Sequence, residues 1–487
     1  MILRKENDRD YLTPGLLKEL QQQVRDVYRA DARPWVIGYS GGKDSTATLQ
    51  LIWYALASLP REQRLKPIYV IASDTLVETP VIVDYIQETL TKIDSAAQKA
   101  EMPFRAHKVT PAPENRFWFN MIGKGYPAPY RRFRWCTDRL KIDPANRFIN
   151  ERVNEHGEVV LVLGVRRSES STRAQVMSLH RKPGDLLSRH TTLRSAWVYT
   201  PVEHFSTNDV WTYLFAAPSP WGNNNRDLLT MYRNAQAGEC PLVVDTSTPS
   251  CGNSRFGCWV CTVVEHDRSM EAMIDSGQEW MQPLLDLRDW LTETRNPDQK
   301  HKYRDLRRRN GRIQRWGEGD KKVIWGPYKL DVRKEILRRL LEAQMAVRRD
   351  GPDKEAVLIF EDELHDIRRI WRTEEGDWQD SLPRIYEEVT GESLAWVEED
   401  AAGSSSMDNA VLEAVCKREG LPAGLLRELI DLERDLQGLG RRSNVYERID
   451  SILGKDWSDQ ESILREILAN RDSIGDETDE GFSDDAA

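Results

Sequence analysis

At 487 residues, with charged residues at 30% and a mean hydropathy of −0.62, the chain exceeds one ordinary core and is too polar for a helical membrane protein. No apolar run reaches the roughly 18 residues that span a bilayer and the N-terminus does not resemble a signal peptide, so a cytoplasmic protein of two or three domains is expected. The net charge of −10 does not exclude nucleic acid: residues 472–487 carry seven acids and no base, whereas 300–349 hold seventeen Lys and Arg against six Asp and Glu.

Residues 1–34 read as a helical lead-in, with Leu16, Leu17, Leu20, Val24 and Val27 at helical spacing. Residues 36–45 (VIGYSGGKDS) follow as the end of a buried strand, a glycine turn and a helix start. Such a unit forms an anion site, because unpaired N–H groups and the helix dipole point at the ligand. The run Ser40, Gly41, Gly42, Lys43, Asp44, Ser45 is too short for a Walker loop, and has Asp where that loop has Ser or Thr. It instead resembles the PP-loop of N-type ATP pyrophosphatases, which split ATP between the α and β phosphates.

Residues 67–72, 104–109 and 158–164 read as further strands, and a helix is expected from Thr79-Pro80. Strands alternating with helices predict an α/β fold, a parallel sheet with helices on both faces. Its ligand edge, at the carboxyl ends of the strands, would carry the loop at 40–45, Ser73-Asp74-Thr75, and Gly164 with Arg166, Arg167 and Arg173. Adenine and ribose are expected at 73–75. The three arginines either neutralise phosphate or form a solvated surface. Cys136 stands among Arg131, Arg132, Arg134, Arg139 and Lys141, which favour the nucleophilic thiolate; the alternative is a small buried side chain beside Trp135.

A short strand is expected near 197–201, then a helix capped by Ser206. The stretch to Cys240, rich in Pro, Gly and Asn, reads as an irregular insertion. Cys240, Cys251, Cys258 and Cys261 then supply four thiolates that suit zinc or an iron–sulfur cluster. Beyond Met270 the chain reads as largely helical. Asp331 is expected to cap a helix with Val332, Ile336, Leu337, Leu340 and Leu341 inward and Lys334, Arg338 and Arg339 elsewhere. The loop 307–322, with Trp316 among Arg and Lys, suits phosphate contacts or a solvated basic face. Cys416 is expected in a core. The division is 1–34 lead-in, 35–235 nucleotide domain, 236–285 Cys-rich segment, 286–400 basic helical region, 401–406 linker, 407–471 helical module and 472–487 acidic disordered tail.

The loop at 39–45, the segment 135–141 (WCTDRLK), residues 164–170 with Arg173, and the cysteine quartet together resemble the sulfurtransferases of bacterial DNA phosphorothioate modification, the DndC family. These form a branch of the 3′-phosphoadenylyl sulfate reductase-like PP-loop family. The superfamily likeness covers residues 30–265; the quartet, residues 326–330 and the helical C-terminal third carry the finer one. The resemblance implies an adenine nucleotide α-hydrolase-like fold, ATP with Mg²⁺, and a [4Fe-4S] cluster on the quartet. It also implies sulfur from a cysteine desulfurase, and DNA with DndD- and DndE-like subunits as partners. Ser40 to Ser45 would then hold the phosphates and Lys43 offset the pyrophosphate charge, with Asp44 orienting Mg²⁺ or capping the helix and Cys136 handling sulfur.

Three other readings share parts of this pattern. A phosphoadenylyl sulfate reductase would carry a Glu-Cys-Gly-Leu-His motif near its C-terminus, and no Cys follows Cys416 here. A tRNA thiolase would share the loop and the cluster and differ in substrate. A non-catalytic DNA-binding subunit would not need Lys43, Asp44 and Ser45 intact.

Overall fold

The computed structural model describes residues 12–169, 185–234, 257–316, 322–400, 406–436 and 444–469. They fall into two units that interleave along the chain. The first is drawn from 1–112, 135–261 and 266–279, the second from 113–134, 262–265 and 280–487. The linker at 401–405 and the tail at 472–487 lie outside the described residues.

The first unit begins with helix Pro14–Arg29 (α1), strand Trp35–Gly38 (β1), helix Lys43–Ala57 (α2), strand Ile68–Ser73 (β2), helix Pro80–Lys99 (α3) and strand Phe104–Val109 (β3). It continues with helix Asp143–His156 (α4) and strands Val159–Val162 (β4), Leu187–Arg189 (β5) and Ala196–Tyr199 (β6). Helices Thr207–Ala216 (α5), Asn225–Asn234 (α6) and Arg268–Asp275 (α7) complete it.

These strands form one six-stranded sheet in the order β3-β2-β1-β4-β6-β5, parallel except for β5. The α/β fold with helices on both faces is therefore as expected. Each strand has period two, so neighbouring side chains enter opposite layers. Trp35, Ile37, Val160 and Val162 face a core shared with α1, α2, α3 and α5. Val36, Tyr69, Ile71, Val159 and Leu161 face Ala145 and Ile149 of α4. Because β1 pairs with both β2 and β4, the strand order reverses there, opening a crevice at their carboxyl ends.

Two local readings are corrected in this unit. The edge strand β5 (LSR) is antiparallel and half-exposed, and carries no apolar pattern to announce it. The stretch after Pro220 is not wholly irregular, since α6 begins within it. Asn225 is buried there, donating to the Leu214 and Ala217 carbonyls at 2.7 and 3.1 Å, so the asparagines tie a helix start to α5.

The second unit holds helices Gln282–Glu293 (α8), Leu330–Asp350 (α9), Glu361–Glu374 (α10) and Ser381–Thr390 (α11), of which α9 and α10 pack on residues 119–123. The indole of Trp371 donates to the Ile122 carbonyl at 2.9 Å, and buried Arg333 donates to that of Gly123 at 3.0 Å. Helix α9 buries Ile336, Leu337, Leu340 and Leu341 as its stripe predicts, whereas Val332 in the first turn is only half-buried and the neighbouring Arg333 is buried instead. Its N-cap is Lys329 rather than Asp331, which lies inside the first turn, where a carboxylate still suits the dipole.

The loop read at 307–322 instead contains a two-stranded hairpin, Gln314–Trp316 (β7) and Lys322–Ile324 (β8). Lys334, Arg338 and Arg339 form ion pairs with Asp377, Glu388 and Glu335, of which Asp377 and Glu388 come from outside the basic segment. Helices Ser406–Glu419 (α12), Ala423–Leu436 (α13), Val445–Leu453 (α14) and Gln460–Ala469 (α15) end the described chain. Cys416 of α12 is buried, as expected, and Ile467 of α15 packs with Leu306 and Trp325.

Candidate active site

The loop after β1 turns sharply because Gly41 adopts φ +72°, a left-handed conformation that costs little without a side chain. A Cβ there would also lie 3.1 Å from Ile86. Ser40 and Ser45 tie the two ends together, with 3.1 Å between their hydroxyls, and Ser45 donates onward to the Gly42 carbonyl at 3.0 Å. Gly42 is the N-cap of α2 and no side chain caps it, which leaves the first-turn amides as the positive end of the helix. The end of β4 closes in from the other side. A Cβ on Gly164 would lie 2.7 Å from the Asp44 carbonyl oxygen and 2.9 Å from the Ser45 nitrogen, so only glycine lets the two backbones meet.

A buried charge network sits at this junction. The Asp44 carboxylate accepts from Lys43 Nζ at 2.9 Å on one oxygen and from Arg166 Nε at 2.5 Å on the other. Arg166 is 1% exposed and its guanidinium also donates to Ser168 Oγ at 2.9 Å. The three charged side chains together carry one net positive charge at the start of α2. Of the two roles expected for Asp44, helix capping is not what the structure shows; its carboxylate holds two cations in place.

At the end of β2 the backbone enters another strained turn. Leu76 lies at φ +63°, unusual for a side chain of its size, and its amide donates to Asp74 Oδ1 at 2.9 Å. Asp74 also pairs with Lys108 at 3.1 Å. The Ser73 hydroxyl is buried without a hydrogen-bond partner, as are several other buried side-chain polar atoms of the described residues. Thr75 Oγ1 lies 3.1 Å from Glu78 Oε1 and 3.3 Å from Cys258 Sγ. Residues 73–75 thus sit at the expected edge, but Asp74 and Thr75 already hold neighbouring protein groups.

Cys258 is bound to this edge by backbone as well. Glu78 and Cys258 form an antiparallel bridge, the Thr79 hydroxyl donates to the Gly257 carbonyl at 3.0 Å, and Trp259 donates to the Val77 carbonyl at 3.0 Å. The Cys261 amide donates to the Cys258 carbonyl at 3.1 Å, a tight turn of the kind that presents two thiolates to one metal centre. Desolvation pushes the Cys258 thiol well above its ordinary pKa, and the Glu78 charge adds to that; Lys141 and Thr75 oppose them. A metal cation would replace the proton there, so this pair fits zinc or iron. Cys240 and Cys251 lie outside the described residues, as does Arg173. Among the described residues no group of three or more metal-binding side chains stands together.

Cys136 is half-buried on the single helical turn Trp135–Thr137, which runs into a π-helical turn, Asp138–Ile142, and then into α4. Such turns recur at functional sites. Lys141 of that turn reaches Glu78 at 3.4 Å, which links the Cys136 segment to the Cys258 loop. Arg167 is partly exposed and is held by Glu203, through its own amide at 2.9 Å and the carboxylate at 3.8 Å. Glu78 and Glu203 were not singled out from the sequence. Each is one carboxylate in a polar stretch, and the partners that tie it to the site, Lys141 and Cys258 for Glu78 and Arg167 for Glu203, lie well away along the chain.

Comparison with known proteins agrees with the fold. Residues 34–263 match the phosphoadenosine phosphosulfate reductase domain, and residues 407–454 match a small protein found in certain Dnd DNA modification systems. An uncharacterized protein of Methanocaldococcus jannaschii is 26% identical over 242 residues, 50% of this chain; the match spans 39% of that relative's length. Two solved structures are similar over shorter or looser stretches. The phosphoadenylyl-sulfate reductase of Candida auris, in a phosphate complex, is 15% identical, with 45% of this chain and 93% of that one covered and a TM-score of 0.26. The U34-tRNA thiolase of Methanococcus maripaludis, with its [4Fe-4S] cluster, is 12% identical, with 60% and 82% covered and a TM-score of 0.28. Scores so low do not bear on function. No helix among the described residues is long and apolar enough to cross a membrane. The chain thus carries a phosphoadenosine phosphosulfate reductase-like domain of the adenine nucleotide α-hydrolase kind and, after it, a segment like a Dnd-system small protein.

Proposed function

We propose that this chain is a DndC-type, ATP-dependent sulfurtransferase, which adenylates a DNA backbone phosphate with release of pyrophosphate and then inserts sulfur. One observation carries the reading: a reductase-like domain with a short Ser-Gly-Gly-Lys-Asp-Ser loop and a segment like a Dnd-system small protein share one chain.

In this account ATP lies with its phosphates on the amides of Ser40 to Ser45, accompanied by Mg²⁺. A non-bridging oxygen of the DNA phosphodiester attacks the α-phosphorus and the bond to pyrophosphate breaks. Lys43 and Arg166 face the charge that develops on the leaving group, and Asp44 keeps both from drifting, so little reorganisation is needed at the moment of transfer. Ser73, with Asp74 and Thr75 shaping its turn, and Gly164 border the adenosine, while Arg167 adds a cation there and Arg173 is assigned a phosphate-binding role from the sequence alone. Cys136 receives sulfur as a persulfide from a cysteine desulfurase. The terminal sulfur attacks the activated phosphorus and AMP leaves; an exogenous thiol reductant then attacks the Cys136 sulfur and breaks its bond to the transferred sulfur, which releases the phosphorothioate and leaves a mixed disulfide on Cys136 that a second equivalent of thiol reduces. Cys240, Cys251, Cys258 and Cys261 hold a [4Fe-4S] cluster, which when bound supplies one-electron chemistry and local folding energy. Thr75, Glu78 and Lys141 orient Cys258. DNA and DndD- and DndE-like subunits are the partners, in the cytoplasm.

The test is mass spectrometry of digested DNA and digested tRNA after reaction with the anaerobically purified chain, the desulfurase and the partner subunits. Phosphorothioate in DNA is expected, and Cys136→Ser should abolish it while iron and sulfide stay stoichiometric. Thiolated tRNA bases with unmodified DNA would replace this reading by the tRNA thiolase one.

A further inference from the structure

The second unit encloses a cleft of about 400 Å³, within the range of small-ligand sites. One wall comes from residues 305–333, which lead into α9, and from the end of α10; the other comes from α13 and α14 of the C-terminal module. Seven cationic and five acidic side chains line it. Most of the acids are engaged: Glu374 with Arg309 at 3.6 Å, Glu375 with Arg333 at 2.8 Å and Glu428 with Lys455 at 2.6 Å. Asp431 accepts from the Trp378 indole at 2.8 Å, and Asp305 from the Arg307 amide at 2.8 Å.

Two of the cations have a neutral neighbour in the same region. Lys329 Nζ donates to the His301 carbonyl at 2.7 Å, and the Arg307 guanidinium lies 5.0 Å over the Trp457 ring, with Asp456 in range of its charge. The lining therefore keeps an excess of two positive charges between partly desolvated walls, where an anion interacts more strongly than in open water. Lys329 also precedes the uncapped first turn of α9, so the positive end of that dipole adds to the same field. Charge contacts from Lys and Arg position a phosphate backbone and carry no sequence information of their own.

We propose that this cleft takes a backbone phosphodiester of the nucleic-acid substrate, gripped jointly by the basic loop and the C-terminal module. The inference rests on the DNA reading above, and adds to it a defined site and a role for α13 and α14. The experiment is fluorescence anisotropy with labelled duplex DNA of arbitrary sequence, using the full chain across a salt series. Calorimetry with AMP runs beside it, because a free nucleotide offers the same phosphate chemistry.

Arg307→Gln with Lys329→Gln should weaken DNA binding roughly tenfold or more and lower the salt slope by about two, with unchanged thermal melting. The charge-preserving pair Arg307→Lys with Lys329→Arg should restore both. Wild-type affinity and slope in the neutral pair would overturn the proposal, as would an equal loss in the charge-preserving pair. AMP binding that the neutral pair loses while it keeps DNA would assign the cleft to a free nucleotide instead. A wild-type chain that binds no DNA removes the DNA reading and this site together, an outcome distinct from a wild type that binds and a neutral pair that binds equally well.

Discussion

Asp44 in the α/β unit and Glu388 in the helical unit each accept a hydrogen bond from an arginine, at 2.5 and 2.6 Å, yet the two pairs do different work. The side chain of Arg166 is 1% exposed and that of Asp44 12%, beside a helix start and a backbone contact that tolerates no Cβ. Arg338 and Glu388 keep 37% and 58% of their side chains in solvent. Equal distances therefore hide unequal energies. A buried pair is held by its surroundings and leaves a stranded charge if broken, whereas an exposed pair exchanges one hydration shell for another. The Asp44 pair lies where a ligand edge is built, whereas the Glu388 pair lies on the surface of a helical unit whose buried charges, such as Arg333, serve packing instead.

The sharpest way to break the comparison is to remove one carboxylate from each pair. Asp44→Ala leaves Lys43 and Arg166 without their shared counter-charge and should cost about 3–5 kcal/mol in urea unfolding, with ATP cleavage lost. Next comes Glu363 of α10, buried on the helical side. Burial pushes its pKa up from the ordinary 4.5 to about 7, against the opposing effects of the Phe360 amide and Arg116. The folded state then holds the proton more tightly than the unfolded one, so the stability this group contributes is full below about pH 4.5 and is lost as pH rises to about 7. Glu363→Gln should flatten that part of the pH profile and raise stability at pH 8 by on the order of 3 kcal/mol. An unchanged profile would show that Glu363 ionises normally in the folded chain.

Gly164→Ala tests the backbone contact beneath the network. Its Cβ must displace the Asp44 and Ser45 backbone, so a loss of about 1–3 kcal/mol is expected, with ATP turnover falling by at least tenfold. The smallest effect belongs to the exposed pair. Glu388→Ala should change stability by less than about 1 kcal/mol and lose even that in high salt. If Asp44→Ala and Glu388→Ala cost the same, burial is not what separates the two units.

Much of the α/β unit was legible because its chemistry is local. The apolar runs at 36–39, 68–72 and 159–162 become strands, and the glycines between Ser40 and Lys43 make the expected turn. The partner of Asp44 was not legible, since Arg166 lies 122 positions away and only the fold joins them. Strand β5 escaped because three half-exposed residues carry no periodicity, and the π-helical turn after Cys136 because a one-residue overhang in a helix has no composition of its own. In the helical unit the apolar stripe of α9 was readable, whereas its charges were not. Arg339 pairs with Glu335 one turn away on its own helix, whereas the partners of Lys334 and Arg338, Asp377 and Glu388, are brought to them only by tertiary structure.

The central claim is that the loop between β1 and α2 places ATP for cleavage between its α and β phosphates. Incubation of the purified chain with DNA, the cysteine desulfurase with cysteine, a thiol reductant and ATP labelled at the α-phosphate, followed by chromatographic separation of the products, tests it most directly. The account predicts labelled AMP with an equal amount of pyrophosphate, and none from Asp44→Ala. Labelled ADP with inorganic phosphate would contradict it.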